Sequence, residues 1–136
     1  MTKEREERHI LTYDLKTKEI TDKWNIPETD SWDFSDAKFE DGFLYVLERG
    51  NHLVTKINIS TKEVVTKYSY QNFEKGSGYL FGPALFAQGE ALLLTQDEVW
   101  IGFDGNGRKA TSAAQKEFNL KGNGPLVVRF KRPKGF

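Results

Sequence analysis

The sequence predicts an all-β fold assembled from repeated antiparallel sheets, and three observations carry that prediction. Tyr13-Asp14-Leu15-Lys16-Thr17-Lys18-Glu19-Ile20 returns 44 positions later as Ile57-Asn58-Ile59-Ser60-Thr61-Lys62-Glu63-Val64. Ala37-Lys38-Phe39-Glu40-Asp41-Gly42-Phe43-Leu44-Tyr45-Val46-Leu47 is echoed, 47 positions on, by Ala84-Leu85-Phe86-Ala87-Gln88-Gly89-Glu90-Ala91-Leu92-Leu93-Leu94. Polar and apolar residues alternate with a period of two, as in strands with one buried face. A strand-rich repeat of roughly 40–50 residues marks a β-propeller blade, one four-stranded sheet per repeat.

The elements follow in order. Ile10 to Lys16 alternates as a strand, Lys16-Thr17-Lys18 turns, and Glu19 to Ile26 returns until Pro27 stops it. Asp30 to Asp36 reads as a loop rich in Ser and Asp. Ala37 to Glu40 is a short strand, Asp41-Gly42 a hairpin turn, and Phe43 to Arg49 the returning strand. After Gly50-Asn51, Leu53 to Ile59 and Glu63 to Tyr70 complete a four-strand meander. Beyond Gly76-Ser77-Gly78 and Gly82-Pro83, strands are expected at Ala84–Ala87, Ala91–Gln96 and Val99–Phe103, with Gln88-Gly89 as a turn. Asp104-Gly105-Asn106-Gly107 turns again, and Arg108 to Phe118 is a further strand whose Ala110–Lys116 portion also suits a short helix. Leu126 to Lys131 closes the series before Pro133.

Blade-like units thus fall at about 9–26, 37–70, 84–118 and 124–132, within one domain. About two and a half blades cannot close a ring that needs at least four. Open sheet edges and self-association through them are therefore expected. The competing architecture is a single antiparallel barrel of roughly ten strands.

Bulk composition excludes several classes. Basic and acidic residues balance at 20 each, so no nucleic-acid partner is expected. The absence of cysteine removes disulfides, thiolate metal sites and thiol catalysis. The start is charged from its second residue and lacks an apolar signal core, and the longest apolar run, Ala91 to Leu94, is far too short to cross a membrane. A cytoplasmic location is the default, with a periplasmic or secreted one if the chain is a fragment.

Leu44-Tyr45-Val46-Leu47-Glu48-Arg49-Gly50-Asn51-His52-Leu53-Val54 resembles the NHL repeat, which joins an apolar strand and an acidic residue to a Gly-Asn-His turn and a branched strand. This chain has Leu53 where the family has Arg or Lys. With Gly42, the same run also resembles the bacterial propellers described as esterase-like activity of phytase. These resemblances imply a propeller. The first points to a binding or scaffold domain for a small molecule or protein. The second implies a metal-dependent phosphate- or carboxylic-ester hydrolase, with acidic residues holding a divalent cation.

The candidate site residues are Glu48 and Arg49, at the end of one strand, and Asp97 and Glu98, which the 47-residue echo places at the matching turn of the next blade. Two acidic turns on one rim would suit calcium, the one cofactor candidate; ion pairing or ordinary turn chemistry is the plainer role. The cluster Asp30, Asp33, Asp36, Glu40 and Asp41 lacks calcium-loop spacing and reads as solvated. His9 and His52 are the only histidines, and no metal site is assigned to them. Trp32-Asp33 sits in a loop without an upstream Gly-His, unlike a WD40 strand end. No nucleophile elbow, phosphate loop or dinucleotide fingerprint is present.

Overall fold

A computed structural model describes residues 9–26, 34–49, 52–70, 89–103, 119, 121 and 125–136. These residues form antiparallel sheets of two, four and three strands. The first pairs β1 (His9–Asp14) with β2 (Glu19–Asn25). The second is a meander of β3 (Phe34–Glu40), β4 (Phe43–Glu48), β5 (Leu53–Asn58) and β6 (Glu63–Ser69), and the third runs β7 (Ala91–Leu94), β8 (Glu98–Phe103), β9 (Leu126–Lys131). Among the described residues there is no closed barrel, so that alternative is set aside for separate sheets. No helix among them is long and apolar enough to cross a membrane.

The 44-residue repeat is a repeat of structure. Asp14 Oδ1 accepts the backbone N–H groups of Lys16 and Thr17 at 2.7 and 3.0 Å, and Lys18 N–H donates to the Asp14 carbonyl at 2.8 Å. Asn58 Oδ1 accepts those of Ser60 and Thr61 at 2.9 and 3.2 Å, and Lys62 N–H donates to the Asn58 carbonyl at 2.7 Å. Lys18 and Lys62 end the two turns in the left-handed region, at φ 60° and 61°. Register slips at matching points too, between Thr12 and Tyr13 and between Lys56 and Ile57. A short side-chain acceptor that folds onto its own turn explains Asp and Asn at this position. Asp41 and Gly42, with φ of 49° and 83°, make the two-residue hairpin turn in which both residues are left-handed.

The sheets stack face to face. Alternation sends Tyr45, Leu47, Val54 and Tyr70 to one side of the second sheet, against Leu92, Val99, Ile101 and Phe130 of the third. It sends Leu44, Val46, Ile57 and Val64 to the other side, against Ile10, Trp24 and Ile26 after the first sheet. The chain after β9 folds back so that Phe136 packs edge-on to Tyr45 and Tyr68, with ring centroids 5.1 and 4.8 Å apart.

Three expectations change. β3 begins at Phe34 rather than Ala37, because Ser35 and Asp36, read as loop, hold the third sheet. β9 pairs with β8, so 126–131 belongs to the same sheet as β7 and β8 rather than to a unit of its own. The 47-residue echo does not relate equivalent strands. Ser35 Oγ donates to the Gly89 carbonyl at 2.7 Å and Asp36 Oδ2 accepts the Leu92 N–H at 2.7 Å, while Arg132 joins Glu40 to the Thr95 carbonyl. β7 therefore runs beside β3 in the same sense, and by position it answers to β3, not β4. Gly89 explains the misreading: it is no left-handed turn residue like Gly42 but a packed one, where an added Cβ would meet Ile101, Leu47 and Tyr70. The expected strands at Ala84–Ala87 and Arg108–Phe118, and Trp32-Asp33, lie outside the described residues.

Candidate functional site

β3 and β4 pair antiparallel, with Phe34 opposite Glu48 and Glu40 opposite Phe43. Each end of the second sheet therefore gathers a different set of side chains. At the Phe34 end, Glu48 terminates β4, Arg49 follows it, and His52 turns the chain into β5 with φ 56°. Arg49 Nη1 donates to Glu90 Oε1 at 2.8 Å, which ties β4 to the start of β7. His52 stands edge-on to Tyr70, with ring centroids 5.6 Å apart, and its carbonyl accepts the Tyr70 N–H at 3.1 Å.

Tyr70 is central to this end. Its hydroxyl oxygen accepts the Gly89 N–H at 2.9 Å. Burial pushes the phenol up to about 12, the Glu90 carboxylate adds to that, and the Gly89 N–H and Arg49 work against it. Burial also lowers His52 from its ordinary value, which favours the neutral imidazole. Glu48 lies on the face toward the first sheet and is fully buried, at 0% exposure. Thr55 Oγ1 donates to its Oε1 at 3.0 Å, and its Oε2 finds no hydrogen-bond partner among the described residues. A buried carboxylate oxygen without a donor costs free energy.

The opposite end holds Asp97 and Glu98. Asp97 is exposed in the bend between β7 and β8, and its carbonyl accepts the Arg132 N–H at 2.7 Å. Glu98 Oε1 accepts from Arg129 Nη2 at 2.7 Å, and its Oε2 accepts from Trp100 Nε1 at 2.9 Å. Arg132 dominates this end: it grips Glu40 and donates to the Thr95 carbonyl at 2.6 Å, the Phe136 carbonyl at 2.9 Å and Tyr45 Oη at 3.1 Å. Its bonds hold the final segment in place, a structural task.

The structure thus keeps Glu48 and Arg49 together and separates them from Asp97 and Glu98, which lie at the other end of the stack. The two acidic turns do not share a rim for one cation. Among the described residues, no three His, Asp or Glu side chains lie close enough to hold a metal ion. Of the acidic cluster, Asp36, Glu40 and Asp41 are described, and the first two have structural partners: Asp36 with Lys38 and Leu92, Glu40 with Arg132. Tyr70 and Glu90 joined the candidate end without a sequence signal, since their contacts to Gly89 and Arg49 cross from one sheet to the next. No known family model matches this chain, and no curated protein matches it significantly.

Proposed function

We propose that the chain is a propeller-type binding or scaffold domain that recognises a ligand or protein at the strand ends around Glu48, Arg49, His52, Tyr70 and Glu90. The observation that supports this reading is that one end of the stacked, repeated sheets carries a fully buried Glu48 carboxylate on one face of the second sheet and, toward the third sheet, the Arg49–Glu90 ion pair and buried Tyr70 packed on half-buried His52. Function concentrates on loops carried by a rigid scaffold, and this end has the scaffold. A hydrolase of the phytase-like kind would need several oxygen ligands around a cation, and separating Asp97 from Glu48 removes the set that the sequence suggested.

Selection of a displayed random-peptide library on the immobilised chain tests the binding reading. Enriched peptides should rebind the parent and lose at least about tenfold in affinity on Arg49→Ala, the cost of one truncated anchor. Equal binding to parent and Arg49→Ala, or no enrichment, would move function away from this end.

A further inference from the structure

The repeat identifies a docking face on the first sheet. Ile10, Trp24 and Ile26, which face the second sheet, are the 44-residue counterparts of Val54, Tyr68 and Tyr70, which face the third. Each sheet thus presents the same face to its successor. The opposite face obeys the same rule: Tyr13 and Ile20 are the counterparts of Ile57 and Val64, which pack on the preceding sheet. On the first sheet no described sheet covers these residues. Tyr13 and Ile20, paired across β1 and β2, are 52% and 58% exposed, and Leu11 beside them is 50% exposed.

The far side of the third sheet is likewise uncovered by any described sheet. Leu93 and Val127 there are 50% and 61% exposed. They lie near Trp100, which Arg129 covers at 5.1 Å from guanidinium to ring centroid. By position Trp100 answers to Tyr45, part of the face that the second sheet turns to its successor. One end of the stack therefore needs a predecessor and the other needs a successor.

We infer that a second copy of this chain docks head to tail, its third-sheet face of Leu93, Trp100 and Val127 covering Leu11, Tyr13 and Ile20. Two such contacts related by a two-fold axis join the three described sheets of each copy into a closed ring of six, within the range of roughly four to eight blades that propellers use. The contact is between sheet faces and rests on the blade reading of the repeat, but not on the strand-end cluster. The Arg49 binding test and this one therefore fail separately.

Analytical ultracentrifugation of the full chain at micromolar to submillimolar concentration tests it. The parent should sediment as a dimer. Tyr13→Glu alone and Val127→Lys alone should each raise the dimer dissociation constant at least about tenfold, since each places an unpaired charge in both contacts. Mixing the two variants in equal amounts should restore dimer, because one contact is then intact and the other pairs Glu with Lys. Both positions are exposed, so the thermal melt of the monomer should stay unchanged; Ile20→Glu with Leu93→Lys gives a second pair if either melt falls. A monomeric parent, irregular aggregates growing from sheet edges, variants that dimerise like the parent, or a mixture that stays monomeric would each overturn the inference.

Discussion

Arg132 and Glu40, ninety-two residues apart in sequence, form the ion pair that binds the segment after β9 to the second sheet. The Arg132 side chain is only 10% exposed and also satisfies the Thr95 and Phe136 carbonyls and the Tyr45 hydroxyl. Truncation strands several partners at once, and leaving buried acceptors unmet costs more than the bonds contribute. Arg132→Ala should lower unfolding free energy by about 2–4 kcal/mol in a denaturant titration. Arg132→Lys should recover less than half of that, because an ammonium cannot reproduce the planar fork. A loss under about 0.5 kcal/mol for the alanine variant would show that the segment after β9 is not held this way.

The same pair sets a pH dependence. The hydrogen bond and charge of Arg132 hold Glu40 below its ordinary value of 4.5. At Asp36, burial pushes the carboxyl up but is outweighed by the Leu92 N–H, Lys38 and the Ala37 N–H, leaving it below 3.8. Both carboxyls are depressed on folding, so their stabilisation is complete above the unfolded values and is lost as pH falls through the folded ones. Melting temperature should be flat from neutrality to about pH 5 and then drop as acid is added. Glu40→Gln should be less stable at pH 7 and lose less between pH 5 and pH 3. An identical acid slope in the variant would remove Glu40 from the account.

The paired turns predict opposite signs for two glycine substitutions. Lys18 and Lys62 both sit at positive φ, which costs a non-glycine residue about 1 kcal/mol. Lys18→Gly should raise stability by about 0.5–1 kcal/mol. Lys62→Gly should be neutral or destabilising, because Lys62 also reaches Asp22 at 2.7 Å and lies over the Trp24 ring. Thermal melts of the two variants, measured side by side, decide it; equal changes would mean that the cross-sheet contacts of Lys62 contribute nothing.

Gly89→Ala tests the packing between sheets. Its Cβ would stand 2.8 Å from Ile101 Cγ2 and 3.2 Å from both Leu47 Cδ2 and the Tyr70 hydroxyl. Overpacking of this kind costs about 1–3 kcal/mol. Stability should fall by that amount, and the fall should shrink in an Ile101→Leu background, which takes the Cγ2 methyl off the Cβ at the crowded site. No relief in the double variant would mean that the strain lies elsewhere.

Local chemistry was legible in the sequence and long-range chemistry was not. Asp14 and Asn58 announce their turns because an Asx side chain acts within three residues, and strand alternation needs only near neighbours. The 47-residue echo misled because Gly42 and Gly89 look alike as letters but differ in backbone conformation and surroundings. Glu48 was legible as a strand end, while its burial depends on Thr55 and on the first sheet stacked above it. Arg132 gave no local sign, since apart from the Phe136 carbonyl its side-chain partners come from β3, β4 and the β7–β8 bend.

Glu48 separates stability from function. Among the described residues its Oε1 has Thr55 as partner and its Oε2 has none, so Thr55→Val should strand the carboxylate and cost about 1–3 kcal/mol. The double substitution Glu48→Met with Thr55→Val removes both polar partners and keeps the volume, and it should bring stability back to the parent's level or above. If Glu48 is kept for recognition at the strand end, that stable double variant should lose binding of peptides selected on the parent, the usual trade of stability against function. Denaturant titrations of the three variants give the first answer, and peptide binding by the double variant gives the second. A double variant as unstable as Thr55→Val would show that the carboxylate is satisfied in solution. A stable one with full binding would make Glu48 a bystander.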